Sequence, residues 1–521
     1  MGALPAAPLP IAAGLAAPRG GWPLHGAAAS RRIEAASRAT LPDHALMARA
    51  GVAVARLALA VAPAARRAWI AAGPGNNGGD GLEAAIHLQA AGKEVVVSLM
   101  SPTTPRPADA ALALARAQAA GVRLTDAPTP AWALTGDDVA IDALLGIGVS
   151  RPPGGWLLDA VDSLHATQAG VLAVDLPSGL DADHGRCIDA RHTVRADWTL
   201  ALLTLKPGLF TADGRDHAGA VWFDDLGVAP DAEPAEARLL SALPCDWPSR
   251  FHAQHKGSFG DLWIVGGAAG MTGAAVLAAR AGLAAGAGRV YLVGLAPDRP
   301  EAVSPELMQR PTSALASRTQ PLEQATLVCG CGGGTSVAQY LPAVIGRASR
   351  LLLDADALNA LAGDPRLAQL LRARHERGRP TVLTPHPLEA ARLLGCTADA
   401  VQADRLGAAR TLAARFGAMV VLKGSGSVIA SPDGVCRINA SGNAALASAG
   451  TGDVLAGWIG GLWAQGLDAA TAAALGVFSH GAAADQWACR RGRVAPLTAS
   501  RLIDQLVAGP RNALSVMHDE C

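Results

Sequence analysis

The sequence predicts two α/β domains in tandem, and three observations lead to that fold class. The chain has 521 residues, 50% of them hydrophobic and 17% charged, which is too long for one core and apolar enough for two. Two separate series of short apolar runs alternate with helical patterns, as βαβ units with mostly parallel sheets require. Between residues 224 and 250 the periodicity fades, and the proline-bearing segments 229–234 and 244–248 read as linker.

The elements follow in order. Residues 1–25 are expected to be a loose tail, because Pro5, Pro8, Pro10 and Pro18 break them and no basic stretch announces a signal peptide. Helices are expected over 32–37 and 46–59, packed on a sheet. A strand over 68–72 runs into a glycine turn and a helix over 81–91, with further strands at 95–99, 139–142, 171–174 and 198–203. The first domain therefore covers 26–235 and the second 236–521. The second opens with a strand over 262–265, a glycine turn and a helix over 273–285. Strands at 290–293, 327–329, 351–353, 381–383 and 420–422 follow, and 453–506 reads as helical. Ligands are expected at the C-terminal strand edges of both sheets.

Composition narrows the function. Net charge is zero and no basic run occurs, so nucleic acid and anionic membrane are not expected partners. No segment reads as a membrane helix. The eight cysteines (187, 245, 329, 331, 396, 436, 489 and 521) form no CxxC pair and read as free thiols of a reducing cytoplasm. Only four lysines occur, at 93, 206, 256 and 423, while arginine fills almost every other basic position. Lys206, Lys256 and Lys423 each abut a glycine loop, which marks them as more than generic surface charge, because an ammonium and a guanidinium are not interchangeable beside a phosphate. Lys93 fits chance placement.

The chemistry concentrates in two places. In the second half, glycines at 442, 450 and 452 precede Asp453 and a helical pattern through Val454, Leu455, Trp458, Ile459 and Leu462. Gly450-Thr451-Gly452 should lie at a helix N-terminus, where free N–H groups and the helix dipole attract phosphate. Asp453 is then either the N-cap of that helix or the base that takes a proton from a hydroxyl attacking the phosphate. In the first half, Gly75-Asn76-Asn77-Gly78-Gly79-Asp80-Gly81 lies between a strand and a helix. Its glycines allow a tight turn, but Asp80 would repel a phosphate, so a sugar, an amide or a monovalent cation suits it better. Asp142, ahead of Gly146-Ile147-Gly148, and Asp175, ahead of Pro177-Ser178-Gly179, stand at two more strand ends. Each alone reads as a turn-capping residue; three on one parallel sheet edge converge on one crevice.

The first-half motifs strongly resemble the NAD(P)H-hydrate epimerase family. The second half is similar to the ADP-dependent NAD(P)H-hydrate dehydratase family in its stretches 255–260, 270–274, 286–288, 353–359, 384–389, 422–424 and 442–453. The resemblance covers nearly everything after about residue 25 and implies a Rossmann-like three-layer domain followed by a ribokinase-like α/β domain. It implies that Asn76, Asn77, Gly78, Gly79 and Asp80, the loop Gly146, Ile147, Gly148, Val149, Ser150, Arg151 and Pro152, and Asp175 hold a hydrated nicotinamide nucleotide, NADHX or NADPHX. Asn77, Asp142 and Ser178 would ligate K+, and Asp175 would be the acid–base group. In the second half Ala274, Gly332, His386 and Asp453 would contact the hydrate. Lys423, Gly424, Ser425, Gly426, Ser427 and Gly452 would bind ADP as co-substrate, accompanied by Mg2+. A cytoplasmic homo-oligomer is expected.

Two departures stand out. Gly330-Cys331-Gly332-Gly333-Gly334 replaces the family's usual Gly-Pro-Gly-Leu-Gly, and Leu388 stands where glycine is usual. Two other functions stay open: a ribokinase-like small-molecule kinase, which Asp453 and its glycines would serve equally well, and a non-catalytic binding role for the first half. His386 also has a plain alternative, since Thr384-Pro385-His386-Pro387 could simply end a strand.

Overall fold

The computed structural model describes residues 8–11, 18, 20–100, 104–149, 151–229, 233–296, 304–317 and 322–509. The chain divides into two compact units, one built on Trp22–Ala237 and one on the residues from Arg238 onward. Both are α/β.

In the first unit the strands lie in the order Leu9–Pro10, Ala220–Asp224, Trp198–Leu202, Gly170–Val174, Val139–Ala143, Arg67–Ala72, Glu94–Leu99, Arg123–Thr125. All pairings are parallel except the first. The central strands are buried on both faces, which is why their sequences are continuous apolar runs. The chain reverses its direction across the sheet between Arg67–Ala72 and Val139–Ala143, and such a switch point leaves a crevice at the strand ends.

The second unit follows the same logic with the order Met308–Gln309, Arg289–Gly294, Asp261–Gly266, Thr326–Cys329, Arg350–Leu353, Thr381–Leu383, Met419–Leu422, Val428–Ala430, Cys436–Asn439, Ala237–Leu240. Its switch point lies between Asp261–Gly266 and Thr326–Cys329. The helices Thr272–Ala284 and Thr451–Ala464 pack with almost no space between their backbones. A Cβ on Gly457 would lie 2.0 Å from the Ala278 carbonyl oxygen, and one on Gly461 would lie 2.3 Å from that of Gly282.

Several expectations are corrected. The helix expected from residue 81 begins at Asn76, so the Asn-Asn-Gly-Gly-Asp motif is helical and not a loop. Its glycines answer to packing: a Cβ on Gly78 would lie 2.0 Å from the Gly73 carbonyl oxygen, and one on Gly81 2.6 Å from Ala143 Cβ. The tail is not loose throughout, because Leu9 and Pro10 pair antiparallel with Phe223 and Trp222. Ala237–Leu240, next to the expected linker, is a strand parallel to Cys436–Asn439. Residues 230–232 of the linker lie outside the described residues. Cys187, Cys245, Cys329, Cys331, Cys396 and Cys436 are free, but Cys489 is disulfide-bonded, contrary to the expectation for that residue. Among the described residues no helix is long and apolar enough to cross a membrane.

Candidate active sites

At the switch point of the first sheet a cavity of about 470 Å³ is lined by Asn76, Asn77, Asp80, residues 146–149, Asp175 and Lys206, among others. Asn76 and Asn77 open the helix Asn76–Ala90. Asn76 Oδ1 is buried without a hydrogen-bond partner. Asn77 Nδ2 donates to the Leu145 carbonyl at 3.1 Å. The Ser178 hydroxyl donates to Asp142 Oδ1 at 2.6 Å and its amide to Asp142 Oδ2 at 2.8 Å. The Leu145 amide donates to Ser178 Oγ at 2.9 Å. Asn77 in the first turn of a helix and Ser178 in a loop thus meet at Leu145, and Asp142 at the end of a strand joins them through Ser178. Burial pushes the Asp142 carboxyl up to about 6 against the hydrogen bonds from Ser178. An amide, a carboxylate, a hydroxyl and a carbonyl form an all-oxygen donor set, and that chemistry fits a hard cation.

Asp175 has a left-handed backbone, φ +67°. That is unusual for a residue with a Cβ, and it turns the side chain toward the cavity's lysine. The Leu202 amide donates to Asp175 Oδ1 at 3.1 Å. The Lys206 ammonium pairs with the same oxygen and donates to the Leu202 carbonyl at 2.8 Å. Asp80 is enclosed beside this pair, and desolvation, reinforced by the Asp175 charge, pushes its carboxyl well above the usual carboxylate range. The environment thus favours the neutral form of Asp80, while Asp175 is charge-paired with Lys206. Gly78 and Gly79 serve the close approach of the helix, Gly79 against Met47. Arg151 and Pro152 are exposed and do not line the cavity; Ser150 lies outside the described residues.

In the second unit Asp453 is the third residue of the helix Thr451–Ala464, and the N-cap position belongs to Gly450 at φ +87°. The capping alternative for Asp453 is thereby excluded. Asp453, Asp354 and Cys331 present ligand-type atoms within 4.8 Å of one another. Burial, then the nearby Asp354 charge, pushes the Asp453 carboxyl up to about 6. Lys423 Nζ donates to Asp354 Oδ1 at 2.8 Å, and Thr384 Oγ1 donates to the same oxygen at 2.8 Å. Desolvation works against the Lys423 charge, but Asp354 and Glu389 outweigh it and hold its pKa above the usual value. Its ammonium is within reach of Gly452, where an added Cβ would lie 3.5 Å from Nζ.

The remaining predicted residues gather nearby. A Cβ on Gly332 would lie 2.8 Å from Ala274 Cβ, so these two positions adjoin. His386 caps the helix Pro387–Leu394: its Nδ1 accepts from the Leu388 and Glu389 amides at 3.1 and 3.3 Å. Nε2 therefore carries the proton and faces Glu389 Oε1 at 3.2 Å. Burial, then Lys423, lowers the His386 pKa. The plain alternative holds in part, since His386 has a structural task, but its Glu389 neighbour joins it to Lys423. Ser427 Oγ donates to the Gly424 carbonyl at 3.2 Å. The buried Arg405 spans the 423–426 loop, donating to the Leu422, Lys423 and Gly426 carbonyls at 3.3, 3.2 and 3.4 Å.

Sequence reasoning assigned no site role to Lys206, Asp354, Glu389 or Arg405. The scarcity of lysine singled out Lys206. Asp354 and Glu389 lay inside the family-like stretches 353–359 and 384–389, and nothing local distinguished Arg405 from the other arginines.

The NAD(P)H-hydrate dehydratase family matches residues 262–506. The YjeF-related protein N-terminus family matches residues 43–208. The bifunctional NAD(P)H-hydrate repair enzyme Nnr of Escherichia coli is 39% identical over 472 residues, covering 88% of this chain and 88% of its own. Its namesake from Moorella thermoacetica is 39% identical over 477 residues, covering 86% and 88%. A solved ADP/ATP-dependent NAD(P)H-hydrate dehydratase from Bacillus subtilis, co-crystallised with ATP/Mg2+, is 31% identical over 50% of this chain and 91% of its own, with a TM-score of 0.42. With both families matched in order and 39% identity over 88% of its length, the chain belongs to the bifunctional NAD(P)H-hydrate repair enzymes.

Proposed function

We propose that this chain repairs hydrated nicotinamide cofactors, interconverting the R and S hydrates in its first unit and dehydrating the S hydrate in its second at the expense of ADP. The observation that carries the dehydratase is Asp453 in the first turn of a helix, with Lys423 beside it. Hydroxide leaves the hydrated ring poorly, whereas phosphate leaves well. Asp453 accepts the proton of the ring hydroxyl as that oxygen attacks the terminal phosphorus of ADP, and the bond to the AMP oxygen breaks. The Gly450–Gly452 amides and Lys423 offset charge on the transferred group. The ring nitrogen then expels phosphate, a proton leaves the neighbouring carbon, and the dihydronicotinamide is restored. Residues 423–427 hold the nucleotide; Ala274, Gly332 and His386 face the hydrate. Asp354 and Glu389 provide hard oxygen donors suited to Mg2+, which would neutralise nucleotide phosphate charge.

In the first unit Asp175 is the acid–base group, with Lys206 paired to it and Asp80 nearby, its carboxyl held above the usual range. Asn76 and residues 146–149 hold the nucleotide, and Asn77, Asp142 and Ser178 would hold K+, which would neutralise the buried Asp142. The place of action is the cytoplasm, and the assembly a homo-oligomer, which analytical ultracentrifugation tests. The deciding experiment incubates the protein with hydrated NADH, ADP and Mg2+ and follows the near-ultraviolet absorbance of the restored cofactor. An R,S mixture should be consumed completely. Recovery of only the S fraction would remove the epimerase, and no recovery at all would remove the dehydratase.

A further inference from the structure

One feature of the second site has no part in the proposed reaction: the thiol of Cys331, fully buried in the loop that follows the strand Thr326–Cys329. Its Sγ lies 3.9 Å from Asp354 Oδ2. Sulfur and the carboxylates of Asp354 and Asp453 all have ligand-type atoms within 4.8 Å of one another. We propose that Cys331, Asp354 and Asp453 form a chelating site for a thiophilic divalent cation of the zinc type, and that occupancy silences the dehydratase by withdrawing Asp453.

Geometry, charge and access support the site. Tetrahedral zinc, with bonds of about 2.3 Å to sulfur and 2.0 Å to oxygen, needs sulfur and oxygen about 3.5 Å apart. The observed 3.9 Å separation meets that after a shift of a few tenths of an ångström. Asp354 is divided in a useful way: Lys423 and Thr384 both donate to Oδ1, which leaves Oδ2 toward the sulfur. Bound as thiolate, Cys331 brings one negative charge and the two carboxylates bring two more. A divalent cation and the Lys423 ammonium balance these, so the lysine need not leave. Cys331 and Asp354 are buried, whereas Asp453 is only partly so, which gives a cation a way in on its side. On binding, the metal–sulfur bond forms as the S–H bond breaks, and the proton passes to solvent. Mg2+ is a poor match, because it avoids sulfur and demands octahedral oxygen.

The silencing rests on Asp453 being the base, but metal binding does not, and the tests keep the two apart. Cd2+ titrated into the full chain should give a thiolate-to-metal charge-transfer band that is lost in Cys331→Pro and in Cys331→Ser. Zn2+ should inhibit dehydration of the S hydrate, reversibly with a chelator, and leave epimerisation intact. Either variant should need at least about 100-fold more Zn2+ for the same inhibition, since losing a direct ligand exceeds the 10- to 100-fold cost of losing an outer partner. Two variants guard against one failing to fold. An unchanged band and unchanged Zn2+ sensitivity in a folded variant would overturn the proposal, as would equal inhibition of both activities. If Asp453→Asn retained full turnover while the band persisted in the unaltered chain, the catalytic assignment would fall and the binding site would stand.

Discussion

At the scale of single residues, Asp453 is a carboxylate placed where phosphate should sit. Asp453→Asn keeps the size and hydrogen-bonding reach but cannot take a proton, so dehydration should fall by at least about 10²-fold while nucleotide affinity largely survives. Turnover measured with pure S hydrate, alongside nucleotide binding by calorimetry, decides this, and near-normal turnover would remove Asp453 from the mechanism. Lys206→Met should slow epimerisation and leave dehydration untouched, because it strips the buried partner from Asp175 and nothing in the second unit depends on it. His480 tests stability. Its ring hydrogen-bonds with the Thr451 carbonyl at 3.0 Å, and burial lowers its pKa from 6.5 to about 4. The unfolded chain therefore binds this proton first as pH falls. The stability is fully present above about pH 6.5 and is lost on descending to about 4, by roughly 3 kcal/mol at about 1.4 kcal/mol per unit. Urea midpoints across that range should fall less steeply in His480→Gln than in the unaltered chain.

At the scale of elements, the helix Thr451–Ala464 has two duties. Its first turn carries Asp453, the proposed base, and its glycine face lets it lie against Thr272–Ala284. Gly457→Ala would drive a Cβ to 2.0 Å from the Ala278 carbonyl oxygen, a rigid backbone atom. It should cost about 2 kcal/mol or more in thermal or denaturant unfolding of the second unit and weaken dehydration through a displaced Asp453. Unchanged unfolding would show that the helices part at no cost. That helix was legible in the sequence because glycine punctuation and apolar spacing agreed on where it starts. The Asn76–Asp80 segment was misread because its glycines looked like a turn. Glycine has two uses, positive φ and close approach, and only the tertiary neighbours of Gly78 and Gly81 tell which applies. Strands such as Val428–Ala430 and Cys436–Asn439 were missed because they follow Met419–Leu422 as antiparallel neighbours, with no helix between them to mark a βαβ unit. The convergence of Asn77, Asp142 and Ser178 was drawn from family likeness, whereas the Lys206–Asp175 pair spans 31 positions and is visible only once folded.

For the whole molecule, the residues of each candidate site belong to a single unit, and the halves are proposed to fold independently. A chain beginning near residue 236 keeps the strand Ala237–Leu240, which pairs with Cys436–Asn439. It should be soluble, unfold cooperatively and dehydrate S hydrate at the full-length rate, while leaving R hydrate unreacted. An insoluble product beside a stable full-length protein would place the boundary elsewhere.

The scarcity of lysine has a practical consequence for chemical footprinting. The four amine side chains are distributed one to each situation: Lys256 is exposed, Lys93 is half-buried, Lys206 is 2% exposed in the first-unit cavity and Lys423 is 19% exposed beside Asp354 in the second unit. A brief acylation followed by peptide mass spectrometry therefore yields a signal from each site and an internal standard from Lys256. Nucleotide should shield Lys423 alone, and hydrated cofactor held in the first cavity should shield Lys206 alone. Occupancy of both sites could thus be read separately, in one sample, with no engineered label.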